Sequence, residues 1–122
     1  MSQKILILED EPEMQPLLAN YVEEAGYEAI IGNHDQEGLA LLEQHGTFAC
    51  ILLDYNMPVM DGLRFLNKKQ TLDAYKDIPV LMCTSCSSES PEFAQPIAKG
   101  WIKGFLEKPF NLAQLEAGLA LI

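Results

Sequence analysis

Basic residues are scarce in this sequence: eight Lys and Arg stand against eighteen Asp and Glu, a formal net charge of −10. Holding nucleic acid needs clustered cations against phosphate, so no direct nucleic-acid binding by this chain is expected. Such a balance suits cations or basic partners, or serves solubility alone. Cysteine is sparse too. Cys50, Cys83 and Cys86 are an odd number and too few for a secreted disulfide framework, so reduced thiols are expected. The two histidines, His34 and His45, lack tight ligand spacing with the cysteines, which argues against zinc. No apolar run approaches the length that crosses a bilayer, and the opening Met-Ser-Gln-Lys-Ile lacks a signal peptide's apolar stretch. No membrane insertion and a cytoplasmic location are the expectations. Linkers, low-complexity tracts and internal repeats are absent.

What is present is enough apolar sequence for a real core: 48% of 122 residues are hydrophobic, a length that fits one domain. Strand-like and helix-like segments alternate. Ile5-Leu6-Ile7-Leu8 is a continuous apolar run, as in a strand buried on both faces. Met14, Leu17, Leu18, Tyr21, Val22 and Ala25 share one helical face, and Gly26 reads as the stop. Glu28 to Ile31 suggests a second strand. Asp35 is the expected cap of a helix carrying Leu39, Leu41 and Leu42, with Gly46 beyond its end. Phe48 to Leu53 reads as the third strand, running out on Asp54. Asp61-Gly62 opens a helix to about Gln70, with Leu63 and Leu66 inward. Val80 to Thr84 is the fourth strand. Pro91 suits a first helical turn, and Pro96 shortens or bends that helix. Gly104 to Glu107 is a short fifth strand, and Asn111 caps a last helix with Leu112, Leu115 and Leu119 in phase.

Five βα units imply a parallel sheet covered by helices on both faces, with ligands bound at the carboxyl ends of the strands. Those ends collect Glu9-Asp10-Glu11, Asp54, Thr84-Ser85 and Lys108-Pro109. If strands one and three are neighbours, Asp10 and Asp54 share a crevice. Their repulsion would be relieved by a hard divalent cation such as Mg²⁺, which takes oxygen ligands. Lys108 and the Thr84 hydroxyl could then face a phosphoryl group.

Taken together, Glu9-Asp10, then Asp54-Tyr55-Asn56-Met57-Pro58-Val59-Met60-Asp61-Gly62, then Thr84-Ser85, then Lys108-Pro109-Phe110 resemble the receiver domain of two-component response regulators, over the whole length of the chain. The resemblance implies a single receiver domain over residues 1–122. It also implies a flavodoxin-like (βα)5 three-layer sandwich with strand order 2-1-3-4-5. It implies that Asp54 is the phosphoacceptor for a sensor histidine kinase or phosphotransfer protein. Mg²⁺, for which Mn²⁺ could substitute, would be held by Asp10, Asp54 and the backbone carbonyl of Asn56, with Glu9 acting through water. Lys108 and Thr84 would bind the phosphoryl group, and a cis peptide is implied at Lys108–Pro109. Phe105 stands at the switch-aromatic position, and Asn56 and Cys86 stand at rim positions that influence acyl-phosphate lifetime. The face made by helix four, strand five and helix five would then alter its preference for an unknown downstream protein, as a monomer or weak homodimer.

Simpler readings exist for each residue alone. Asp54 could end a turn, Asp61 cap a helix, Lys108 sit at the surface, Phe105 belong to the core, and Glu9-Asp10-Glu11 form an acidic first helical turn. Cys83-Thr84-Ser85-Cys86 is formally a C-x-x-C motif, but it overlaps a strand end rather than opening a helix. Two alternative functions remain open from sequence: a degenerate receiver acting as an interaction module, and an aspartate-nucleophile phosphatase of the haloacid dehalogenase type. The second carries its D-x-D motif after strand one, unlike this chain. Departures from the receiver pattern are Trp101 after a glycine, Pro96 within helix four, and the Ser- and Cys-rich stretch from Ser85 to Ser90.

Overall fold

A computed structural model of the chain describes residues 3–54, 62–84 and 91–122. The expectations for Asn56, Met57, Met60, Asp61, Ser85 and Cys86 lie outside the described residues. The elements are β1 (Lys4–Leu8), α1 (Met14–Glu24), β2 (Glu28–Gly32), α2 (Asp35–His45), β3 (Cys50–Asp54), α3 (Gly62–Gln70), β4 (Val80–Thr84), a 3₁₀ turn (Pro91–Phe93), α4 (Ala94–Ala98), β5 (Gly104–Glu107) and α5 (Leu112–Leu119). The five strands form one parallel sheet in the order β2-β1-β3-β4-β5.

Alternation along the strands divides the core in two. Leu6 and Leu8 of β1, Ile51 and Leu53 of β3, and Val80 and Met82 of β4 pack against Leu42 of α2, Phe65 and Leu66 of α3, and Phe93. Ile5, Ile7, Cys50, Leu52, Leu81, Cys83 and Leu106 face the opposite way, onto Leu18 and Val22 of α1 and Leu115 and Leu119 of α5. Each such aliphatic side chain taken out of water contributes roughly 1.5–3 kcal/mol, against the entropy of ordering it.

The local boundaries have identifiable causes. Gly46 ends α2 at φ 77°, a left-handed conformation that favours glycine. Asn111 caps α5 through a capping box: its side chain accepts from the Gln114 amide, while Gln114 accepts from the Asn111 amide. Pro96 leaves α4 only five residues long, preceded by the 3₁₀ turn that Pro91 begins.

Four expectations need correction. The cap of α2 is His34, not Asp35: His34 is extended and its Nδ1 accepts from the Glu37 amide at 3.1 Å. Asp35 is already helical and its carboxylate is held by Arg64 at 2.8 Å. Leu17 is 40% exposed, because Leu18 and Val22 define the buried line of α1 and Leu17 falls beside it. β3 starts at Cys50, opposite Ile5 of β1, rather than at Phe48, and it continues through Asp54. Glu11 does not belong to a helical first turn: α1 begins at Met14, and the Glu11 carbonyl instead accepts from the Met14 and Gln15 amides.

Candidate functional site

The sheet register brings the carboxyl ends of all five strands to one edge. Leu8 lies opposite both Gly32 and Leu53, Asp54 opposite Cys83, and Thr84 opposite Glu107. After β1 the chain turns outward to β2, then returns to the other side of β1 as β3. The crevice beside that reversal is where open parallel sheets bind ligands, and here it receives Glu9, Asp10 and Asp54. One carboxylate oxygen from each lies within 4.8 Å of the others.

Burial gives this cluster its chemistry. Glu9 is 0% exposed and Asp54 2%. Burial pushes the Glu9 carboxyl up to about 7, helped by a hydrogen bond to Asp54 and by its negative charge. The Glu11 amide, donating to Glu9 Oε2 at 3.2 Å, and the Lys108 ammonium work against that rise. Lys108 Nζ lies 3.2 Å from Glu9 Oε1 and 3.0 Å from Asp54 Oδ1. Although burial opposes its charge, these two acids hold the Lys108 pKa above that of an ordinary lysine. One ammonium thus spans two buried acids, with the Asp10 carboxylate converging on the same pair.

Asp10 completes the case for a metal. Its Oδ1 is buried and accepts no hydrogen bond among the described residues. Such an oxygen is costly to leave unmatched. A hard divalent cation with oxygen ligands is the chemistry that three converging carboxylates fit, whether Mg²⁺ or Mn²⁺.

Thr84 is buried at the end of β4, and its carbonyl accepts from the Lys108 amide at 2.9 Å. That bond ties the Lys108 loop to β4. The Lys108–Pro109 peptide is cis. Phe105 lies in register with Met82, two residues before Thr84 and on the same face of the sheet. It is half-buried, and its ring meets Phe93 edge-on with centroids 5.1 Å apart. The thiols of Cys50 and Cys83 are buried, and burial pushes the Cys50 thiol up to about 12 and raises that of Cys83 further still. Thiolate chemistry is suppressed at both.

Sequence reading missed the polar network that fixes the β1–α1 loop. Gln15 Nε2 donates to the Glu9 carbonyl at 2.7 Å and to Asn33 Oδ1 at 2.6 Å. Asn33 in turn donates from its amide and side chain to Glu37 Oε1. Nothing in the spacing of Gln15 or Asn33 distinguishes them from solvent-facing polar residues.

Comparison with known proteins places the fold in a family. The family model for the response regulator receiver domain matches residues 5–120. The chain belongs to the response regulator receiver domain family. The receiver is 25% identical to the chemotaxis protein CheY1 of Helicobacter pylori, over 98% of this chain and 95% of that protein. It is 32% identical to the transcriptional regulatory protein SrrA of Staphylococcus aureus over 91% of this chain, which spans 44% of SrrA. Among solved structures, the chemotaxis protein CheY4 of Vibrio cholerae matches with a TM-score of 0.86 at 32% identity, covering 98% of both chains. Receivers are signalling domains rather than classical enzymes; they bind Mg²⁺ through an acidic pocket and interact with histidine kinases or phosphotransfer proteins. No described helix of this receiver is long and apolar enough to cross a membrane.

Proposed function

We propose that this receiver accepts a phosphoryl group on Asp54 from a histidine kinase or phosphotransfer protein and relays it as a change of protein-binding surface. The observation that carries this reading is Lys108 Nζ placed between Asp54 Oδ1 and Glu9 Oε1, beside a buried Asp10 oxygen with no described partner. A lone pair on an Asp54 carboxylate oxygen forms the new O–P bond. The P–N bond to the donor imidazole breaks, and its electron pair stays on that nitrogen. Lys108, already 3.0 Å from Asp54, pairs with the incoming phosphoryl oxygens, and the Thr84 hydroxyl donates to one of them. Asp10 and Asp54 would hold Mg²⁺, with the Asn56 backbone carbonyl as a further ligand and Glu9 acting through water. When bound, the ion supplies the positive charge that lets all three acids ionise together. Water attack on the acyl phosphate later restores the Asp54 carboxylate.

Output follows from the surroundings of Thr84 and Phe105. A Thr84 side chain drawn toward the phosphoryl group leaves space on its own face of β4, into which Phe105 turns. Phe105 packs on Phe93 at the entrance to α4, so its rotation changes the α4-β5-α5 face. This is a two-state population shift, and its extent is set by the free-energy difference between the two packings. Cys86 and Asn56, two residues beyond Thr84 and Asp54 in the sequence, set how long the acyl phosphate survives.

The test is mass spectrometry after treatment with a small phosphodonor and Mg²⁺. One added phosphoryl group is expected, and it is absent from Asp54→Ala. An adduct that persists in Asp54→Ala, or none in the wild type, would falsify the assignment.

A further inference from the structure

At the opposite end of the sheet lies a second site with inverted electrostatics. A cavity of about 280 Å³ opens where the chain enters β4 and β5, lined by Gln70, Lys76, Asp77, Lys99, Trp101 and Lys103 among others. The amino ends of these strands stand roughly 15 Å from their carboxyl ends, at about 3.3 Å per residue, so the cavity is separate from the acidic crevice. The whole chain holds eight Lys and Arg. Three of them line this wall against one acid, Asp77.

A fourth cation stands behind the wall. Lys69 is 0% exposed, and its Nζ donates to Gln70 Oε1 at 2.7 Å and to the Lys76 carbonyl at 2.9 Å. Both acceptors belong to residues that line the cavity. An ammonium has three N–H donors, so one remains without a described acceptor. Burial lowers the Lys69 pKa, and only the charge of Asp77 opposes this. The lining lysines are also underused. Lys76 has a loose, exposed pair with Asp73 at 3.5 Å. Neither Lys99 nor Lys103 is ion-paired among the described residues. Lys99 lies over the Trp101 ring at 4.7 Å from its centroid, a cation–π contact that places its ammonium.

We propose that this cavity binds a small phosphomonoester. Three cations against one anion on the wall, with a fourth cation behind, match a dianion better than a monoanion. A phosphomonoester carries a charge of about −1.5 to −2 at neutral pH. Lysines are rotatable point charges that suit the oxygens of a tetrahedral group approached from several sides. A planar carboxylate is better served by the Arg fork, and the only arginine, Arg64, is bound to Asp35 elsewhere. The volume falls just below the ~300–1,000 Å³ typical of drug-sized ligands, which limits the occupant to a small molecule. Trp101 supplies the apolar surface for the carbon portion.

Trp101 is the sole tryptophan, so its fluorescence reports this cavity alone. Wild-type protein is titrated with glycerol 3-phosphate, without Mg²⁺ and without phosphodonor. Asp54 phosphorylation therefore plays no part, and a failure here leaves the receiver reading untouched. A saturable change in emission is expected. The Lys76→Ala/Lys103→Ala double variant, altered at exposed positions, should weaken it at least about tenfold, the loss of roughly 1.4 kcal/mol or more. Lys108→Ala should retain the response, and succinate should bind at least about tenfold more weakly, at the same conversion of 1.4 kcal/mol per tenfold. Broadening of the ligand's ³¹P resonance by wild type but not by the double variant provides a second readout. No saturable response, retention in the double variant, loss in Lys108→Ala, or equal binding of succinate each overturns the proposal.

Discussion

A carboxyl group shut away from water, hydrogen-bonded to another acid and touched by one lysine lies between two protonation states, and Glu9 is in that position. Its pKa in the folded chain is about 7, against an ordinary value of 4.5. The folded state therefore binds more protons than the unfolded state across that interval. Glu9 contributes its full stabilisation below the lower value and loses it as pH rises through the upper one. In metal-free protein, urea unfolding should show wild type losing up to about 3 kcal/mol relative to Glu9→Gln between pH 5 and pH 8. Parallel pH dependences of the two proteins would contradict the assignment. The same scale shows why the site was only partly legible. Asp10, Asp54, Thr84 and Lys108 announce themselves by standing at or just past the ends of β1, β3, β4 and β5. The contact of Glu9 with Lys108 joins residues 99 positions apart, and no local pattern encodes it. Lys69 stands beside Lys68 in the last turn of α3, and its burial depends on the chain beyond the helix, which supplies the Lys76 carbonyl.

The elements were read best where a strand is a continuous apolar run bounded by turn residues. β4 and β5 fall on their expected ranges, with Pro79 just before the first and Pro109 shortly after the second. Helix starts were less legible, because the cap is decided by backbone conformation as much as by side-chain type. At α2 the extended residue is His34, and its ring nitrogen does what the Asp35 carboxylate was expected to do. Gly38 of the same helix has a role that helical periodicity hides. A Cβ there would lie 2.8 and 2.9 Å from the two methyls of Leu8 and 3.1 Å from Phe65 Cε1. Both neighbours are fully buried, and rotating Leu8 moves one methyl away only by bringing the other in. Gly38→Ala gains about 1 kcal/mol of helix propensity but overpacks a core at a cost of about 1–3 kcal/mol. A net loss of stability in urea unfolding is expected; a stabilised variant would show that β1 and α2 can separate. Asn111→Ala removes one half of the α5 capping box and should lower stability by about 1 kcal/mol, with Asn111→Ser restoring most of it.

The two ends of the sheet differ in charge: three acids converge around Lys108 at the carboxyl ends, and three lysines line the amino ends of β4 and β5 with Asp77. This polarity makes the response to divalent cations a test of where they act. A ligand that binds only the folded state stabilises it by about 2.7 kcal/mol at one hundred times its Kd. For a chain of this size that raises Tm by several degrees, since 1 kcal/mol corresponds to roughly 2–8 °C. Mg²⁺ should produce such a rise in thermal melts, whereas NaCl at matched ionic strength should not, because screening acts on exposed charges and the three acids are largely shielded. Asp10→Ala should abolish the rise, having lost the buried oxygen that no described group satisfies. The Lys76→Ala/Lys103→Ala variant should keep it in full, because those lysines stand at the other pole. A Mg²⁺ shift that survived in Asp10→Ala would mean that the ion acts through the diffuse charge of −10 rather than through the crevice at the ends of β1 and β3.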